Sequence, residues 1–370
     1  MARLSNMGRA GLMDRRNVLK LGSAASAALA LAACGKAGSG GSKRTEFQIG
    51  WSIYTGFMPW YYANEAGIVA KWAKKFGITI DLVQVNDYIE SINQYSAGKL
   101  DGVLATTMDA LTIPAAGGRD TSVVIIGDYS NGNDGIVLKK GTSVRDIAGR
   151  SVNLVELSVS HYLLARALEM AGMTLTDVKT VNTSDADMIA AFATPEVTAV
   201  AAWNPQLAQI RKEPGAVEVF DSSMIPNEIL DVMNVSTEVL QANPDLGKAL
   251  AGIWYETMAI LGKGDAQAAT MTEQMAKGAG TTADSLKGQL ATTYFYVNAA
   301  DAAKYAESAD LVTVTDRVRQ FSYSKGLFGP SATSVDAIGI AFPGDKVLGD
   351  KGNIKLRFDP TYMKMAATGL

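Results

Sequence analysis

Short apolar runs of strand length alternate with helical stretches from Phe47 to Phe220, and this alternation limits the possible folds more tightly than any other feature. A first series places strands at Phe47–Ile53, Ile78–Val85, Asp101–Thr106 and Val123–Gly127. A second places them at Ser151–Val155, Thr180–Val181, Val197–Trp203 and Val217–Phe220. Strands joined through helices run parallel and carry helices on their faces. Two extended crossings, near Asp128–Ile136 and Asp221–Val235, link the series, and a mostly helical segment follows from Pro244 to Gly326. This plan predicts an α/β chain of two lobes, each a βα sheet sandwich, with a hinge at the crossings and a cleft between them. Lobe 1 takes residues 45–135 and 236–370, and lobe 2 takes 136–235.

The first 33 residues read as an export signal. Arg15-Arg16-Asn17-Val18-Leu19-Lys20 is a twin-arginine pattern, and the apolar run Leu21–Ala33 is too short to span a bilayer. Leu31-Ala32-Ala33-Cys34 resembles a bacterial lipobox, which makes Cys34 a lipidation site. Residues 34–44 are then a flexible Gly/Ser tether. The expectation is an exported protein, periplasmic or in the cell envelope, held to the membrane by lipid alone. Removal of residues 1–33 takes away five basic residues and one acidic residue, moving the formal charge from −3 to −7. Such a charge argues against a nucleic-acid partner.

Several chemistries are excluded early. Cys34 is the only cysteine and His161 the only histidine, so neither a disulfide nor a His/Cys metal cluster can form. Neither Gly-x-Ser-x-Gly nor a P-loop occurs. Ser158-Val159-Ser160-His161 opens a helix, where serine is common as a cap, and His161 reads as structural or pocket-lining rather than catalytic. No cofactor and no metal are expected.

Loops that follow strands in α/β proteins gather where ligands bind. The candidate cleft loops are Trp51–Trp60, Val85–Ile89, Thr106–Pro114, Val155–Tyr162, Asn182–Ala186 and Trp203–Gln206. They carry Asp87, Asp109, Glu156 and Asp185, and no Lys or Arg. A buried anion would be disfavoured beside these carboxylates, so the pattern points to a cationic or donor-rich small ligand. Asp109 and Asp185 also stand where helix caps are expected, and Asp87 reads as a cap. Glu156 follows an apolar strand and is expected to point into the cleft. Aromatic faces come from Tyr54, Trp60, Tyr129, Tyr162 and Trp203, and Asn204 adds an amide. A planar cation can lie on such faces while carboxylates take its N–H groups. The stretch Phe47–Gly67 would supply flat walls, with charge from Asp109 in the same lobe and Glu156 in the other.

Several stretches carry a family resemblance. They include Trp51-Ser52-Ile53-Tyr54, Met58-Pro59-Trp60, Gly98-Lys99-Leu100-Asp101-Gly102, Met108-Asp109-Ala110-Leu111 and Ser130-Asn131-Gly132-Asn133-Asp134-Gly135. The run Val152–Glu169, with Ser158-Val159-Ser160-His161-Tyr162, and the segments Asn182-Thr183-Ser184-Asp185 and Trp203-Asn204-Pro205-Gln206 complete them. Over about residues 45–365 the chain resembles periplasmic substrate-binding proteins of ABC importers, of the branch that takes up nitrate, sulfonates and taurine. It is most similar there to the urea-transporter binding proteins linked to urea or guanidine carboxylase. The resemblance implies a two-lobed periplasmic-binding-protein fold of type II-like plan, no enzymatic activity, and a monomer that hands its ligand to an ABC permease with its ATPase. The implied ligand is guanidinium or urea, and the charge pattern favours guanidinium, a planar cation with donors only. Tyr54, Trp60, Asp109, Glu156, His161, Asp185, Trp203 and Asn204 are the expected ligand-binding residues. The alternatives are a sulfonate- or nitrate-type anion in the same fold, and an enzyme like the thiamin pyrimidine synthases, which use pyridoxal phosphate, an active-site histidine and a metal.

Overall fold

The computed structural model describes residues 44–370. The twin-arginine segment, Cys34 and the tether as far as residue 43 lie outside the described residues. Fourteen strands occur among the described residues. They are β1 (Glu46–Trp51), β2 (Thr79–Gln84), β3 (Gly102–Thr106), β4 (Thr121–Ser130), β5 (Asp134–Leu138), β6 (Ser151–Leu154), β7 (Lys179–Asn182), β8 (Ala199–Trp203), β9 (Val217–Asp221), β10 (Leu230–Ser236), β11 (Thr293–Phe295), β12 (Gly339–Phe342), β13 (Lys346–Leu348) and β14 (Ile354–Phe358).

The strands form two sheets, as the doubled alternation predicts. The larger runs β13-β12-β14-β4-β10-β3-β1-β2, with β11 added on β4, and the smaller runs β7-β6-β8-β5-β9. The chain passes from the larger to the smaller between Ser130 and Asp134, and returns between Asp221 and Leu230. The sequence reading carried lobe 2 through residue 235. However, β10 pairs antiparallel with both β3 and β4 and so lies in the middle of the larger sheet. No strand was read after Val235, because β11 to β14 are short and sit among helices.

Strand sequence follows from burial. In the smaller sheet Ile136, Leu138, Ala199, Ala201 and Trp203 face one core, while Val137, Val200 and Ala202 face another. Both faces are covered, so the runs GIVL and AVAAW are apolar without interruption. The first of these two cores is not made of local residues alone. Val318 and Phe321, from the helix Ala309–Ser324, pack into it. That helix also meets Glu228, on the return crossing. Its carboxylate accepts from Arg166 Nε at 2.8 Å, from Arg317 Nη1 at 2.5 Å and from the Tyr162 hydroxyl. A buried carboxylate with this many donors is fully compensated, whereas removing one partner would leave a stranded charge.

Pro59 occupies the first turn of the helix Met58–Glu65. Its neighbour Trp60 does not face the cleft as expected. It is 1% exposed and stacks on Trp254 at 5.4 Å, between that helix and the helix Pro244–Leu261. One turn after a cleft loop, a helix buries whichever face meets the core, and here Trp60 lies on that face. Trp60→Ala is expected to lower the unfolding free energy by about 3–5 kcal/mol, the cost of a large core truncation. Urea titration checks this, and a loss below about 1 kcal/mol would place the ring outside the core.

Candidate functional site

Two strand registers fix the charges where the sheets meet. In β4 and β10, Asp128 stands directly opposite Asp231, and in β5 and β8, Asp134 stands opposite Trp203. Opposed residues share a face of the sheet, so each pair points the same way. All four line one cavity of about 40 Å³, together with Tyr54 and Tyr88. That volume holds roughly three waters, or a ligand of about four heavy atoms.

The wall is acidic and carries no Lys or Arg. Asp128 and Asp134 are buried and Asp231 is partly buried, and desolvation pushes all three carboxyls up. The Asp134 carboxyl rises to about 6. Burial first, and the neighbouring Asp231 carboxylate second, hold Asp128 well above the usual carboxylate range, and burial together with Asp134 raises Asp231 to about 7. Two carboxyls side by side in this setting disfavour ionising together. Ser130 Oγ donates to Asp134 Oδ2 at 2.5 Å and is itself 2.6 Å from Ser222 Oγ. Asp134 Oδ1 and Asp128 Oδ2 have no hydrogen-bond partner. Unpartnered acceptors this deeply buried are costly unless a ligand serves them. Gly56 explains how the loop closes over the acid pair. A Cβ at that position would stand 2.5 Å from Asp231 Oδ2 and 2.8 Å from Asp128 Oδ2, so only glycine lets the backbone pass.

The aromatic wall is built around Tyr54. Its ring meets Phe57, Tyr88 and Trp203 edge-on, with centroids at 6.1, 5.5 and 6.0 Å. Its hydroxyl donates to Asp185, across the cleft on the helix Asp185–Ala193. Asp185 thus joins the two lobes, and Ser184 is the residue that caps its helix. Asp109 stands one layer behind the cavity. Its Oδ2 accepts from Tyr88 Oη and from Thr106 Oγ1, both at 2.7 Å, and so fixes two wall residues. Thr106, not Asp109, is the cap there, while Asp87 does cap its own helix. Asn204 donates from Nδ2 to Thr292 Oγ1 at 3.1 Å and ties the lobes a second time.

Of the expected residues only Tyr54 and Trp203 line this cavity; Glu156 and His161, like Trp60, lie away from it. Glu156 does not line the cavity. The chain turns at Leu157 (φ 65°), and the Glu156 carboxylate accepts from the Thr180 hydroxyl instead. His161 is buried, takes the Leu157 N–H on Nδ1 at 3.2 Å, and meets Phe321 edge-on. Burial, with Lys325 adding to it, lowers its pKa to about 4, which leaves the ring neutral. The sequence reading missed Asp128, Asp134 and Asp231 because it counted charges in loops, and these three sit in strands. The available signal was a carboxylate inside otherwise apolar runs, VVIIGDYS and ILDVMNV. Among the described residues no three His, Cys, Asp or Glu side chains converge to hold a metal.

Raised carboxyl pKa values mean that the folded chain binds more protons than the unfolded one. The three carboxyls outweigh the single His161, whose lowered pKa acts the other way, so stability falls as pH rises from about 4 through 7. Scanning calorimetry between these limits is expected to show a falling melting temperature, and a rising one would contradict the assigned ionisation.

Comparison with known proteins places the chain in context. The NMT1/THI5 like family model matches residues 54–252. A protein of Brucella abortus, named as a binding protein, is 27% identical over 199 residues, which is 52% of this chain and 60% of the relative. A protein of Escherichia coli named for binding aliphatic sulfonates is 31% identical over 177 residues, 46% of this chain and 53% of the relative. The chain thus spans about 60% of the length of the first of these relatives. The crystal structure of the periplasmic aliphatic sulphonate-binding protein of Escherichia coli superposes with a TM-score of 0.66 at 19% identity, covering 78% of this chain and 95% of that one. The fold is therefore that of periplasmic binding proteins, and these named relatives are binding proteins, not enzymes.

Proposed function

We propose, for a chain that belongs to the NMT1/THI5-like family, that it is the substrate-binding component of an ABC importer and captures guanidinium in the cleft. The carrying observation is the set of three carboxyls, two of them buried, on a cavity wall with no basic residue. A cation entering there replaces a carboxyl proton and serves the unpartnered oxygens of Asp128 and Asp134. Guanidinium suits the site among cations because it is planar, has four heavy atoms and only donates hydrogen bonds. Its faces meet the aromatic walls of Tyr54 and Trp203, worth about 0.5–2 kcal/mol for a desolvated contact.

Urea is the second candidate, since it has the same size and four N–H donors. It would leave the carboxyls protonated and present a carbonyl that needs a donor. The relatives named for sulfonates share the fold. An anion of that kind would have to stand beside Asp128, Asp134 and Asp231 with no Lys or Arg on the wall. The residues that remain from the sequence reading then divide the work. Tyr54 and Trp203 face the ligand, Asp109 holds Tyr88 and Thr106, and Asp185 and Asn204 join the lobes. Export, attachment through Cys34, a monomeric state and delivery to a permease belong to the same reading, by analogy with periplasmic relatives.

Calorimetry with guanidinium, urea and taurine tests the ligand. Saturable heat is expected with guanidinium, accompanied by proton release, with affinity rising across about pH 5 to 8 as the carboxyls ionise. Saturation by taurine alone would sink the cation reading. Asp231→Asn should act in opposite directions on the two measurable quantities at pH 8. It removes one carboxyl from a desolvated acid pair and so raises the melting temperature of the free chain, and it weakens guanidinium binding by about 10- to 100-fold. A variant that lost stability and kept its affinity would rule out Asp231 as a charge partner.

A further inference from the structure

Beyond the small cavity lies a second, wider space of about 520 Å³ between the lobes. Thr55, Thr281 and Gln289 border it from the larger lobe, and Gln209 and Lys212 from the smaller. Tyr54 is the one residue that lines both spaces. Its ring stands between them, held edge-on by Phe57, Tyr88 and Trp203 and anchored at its hydroxyl by Asp185. A ring fixed at four points is a partition and does not yield easily to a larger ligand.

We propose that Tyr54 is the size-determining residue of the site: its ring separates the acidic cavity from the wider groove and so excludes guanidinium cations that carry an N-substituent. The inference rests on the guanidinium reading above. With the ring in place, a substituent longer than a methyl group runs into Tyr54. With the ring removed, the cationic head keeps Asp128, Asp134 and Asp231, and the substituent enters the groove past Thr55 and Gln289. The hydroxyl has a separate role. It draws the lobes together through Asp185 and does not set the size limit.

Two variants separate these roles. The full chain, Tyr54→Ala and Tyr54→Phe are each titrated calorimetrically with guanidinium and with n-butylguanidinium, after a melting curve confirms folding. Tyr54→Leu replaces Tyr54→Ala if the latter does not fold. The unaltered chain is expected to prefer guanidinium by about 100-fold or more, the scale of a steric misfit in a packed pocket. Tyr54→Ala is expected to narrow that preference to within about 10-fold by gaining affinity for n-butylguanidinium. Tyr54→Phe keeps the ring and loses the contact to Asp185, so both affinities should fall together with the preference unchanged. A preference that survives Tyr54→Ala, or one that collapses in Tyr54→Phe, overturns the partition while leaving the guanidinium reading intact. Failure of the unaltered chain to bind guanidinium at pH 8 overturns that reading and this one with it.

Discussion

Asp128 and Asp231 face one another across neighbouring strands in the middle of the larger sheet, and this pairing conditions everything around it. Like charges directly opposite on a sheet are destabilising. A chain under selection for stability alone would have neutralised one of them. Here the strain is contained rather than removed. Burial and the facing carboxylate favour keeping a proton on the pair, and Gly56 lets a backbone segment cover it. The cost is borne by a core large enough to absorb it, in which Trp60, Trp254 and the residues packed around them lie fully buried.

The two sheets contribute unequally to the site. The larger provides the acid pair and most of the aromatic wall, from strands and from the loop after β1. The smaller brings Asp134 and Trp203 on adjacent strands, and Asp185 at the start of a helix. Contacts between the lobes are mixed: Tyr54 with Asp185 and Asn204 with Thr292 are polar, whereas Tyr54 against Trp203, and Val318 and Phe321 in the smaller lobe's core, are apolar. Polar contacts at a cleft can part in water at small cost, because water replaces each hydrogen bond.

Much of this was legible in the chain. The doubled alternation of strand and helix specified two sheets, and the two crossings fell close to where Asp128 and Asp231 now stand. Composition also showed cleft loops with acidic and aromatic residues and without Lys or Arg, and the cavity wall has the same character although other acids supply it. Glu156 and Trp60 went astray for a common reason. A side chain's direction depends on the turn before it, and neither the left-handed turn at Leu157 nor the rotation of the helix Met58–Glu65 is encoded in residue types alone. The three strand carboxylates escaped notice because an acid in an apolar run reads as an edge or a break. Its meaning emerges only when long-range pairing sets it opposite another acid.

The core under the smaller sheet has a consequence for how the chain is made. Val318 and Phe321 complete that core, although the strands they cover end at Asp221. Residues 136–221 emerging first from the ribosome bring their own helix Val159–Met170 to that face but leave open the part that Val318 and Phe321 cover. They must wait for nearly a hundred further residues before that face is dry. Such non-local contacts slow folding, since loop closure precedes their reward. The smaller lobe is thus the last to set, and its incomplete form would expose Leu163, Phe220 and their neighbours to other chains. The helix Ala309–Ser324 is in this sense the keystone of synthesis: the lobe it does not belong to in sequence is the one it finishes.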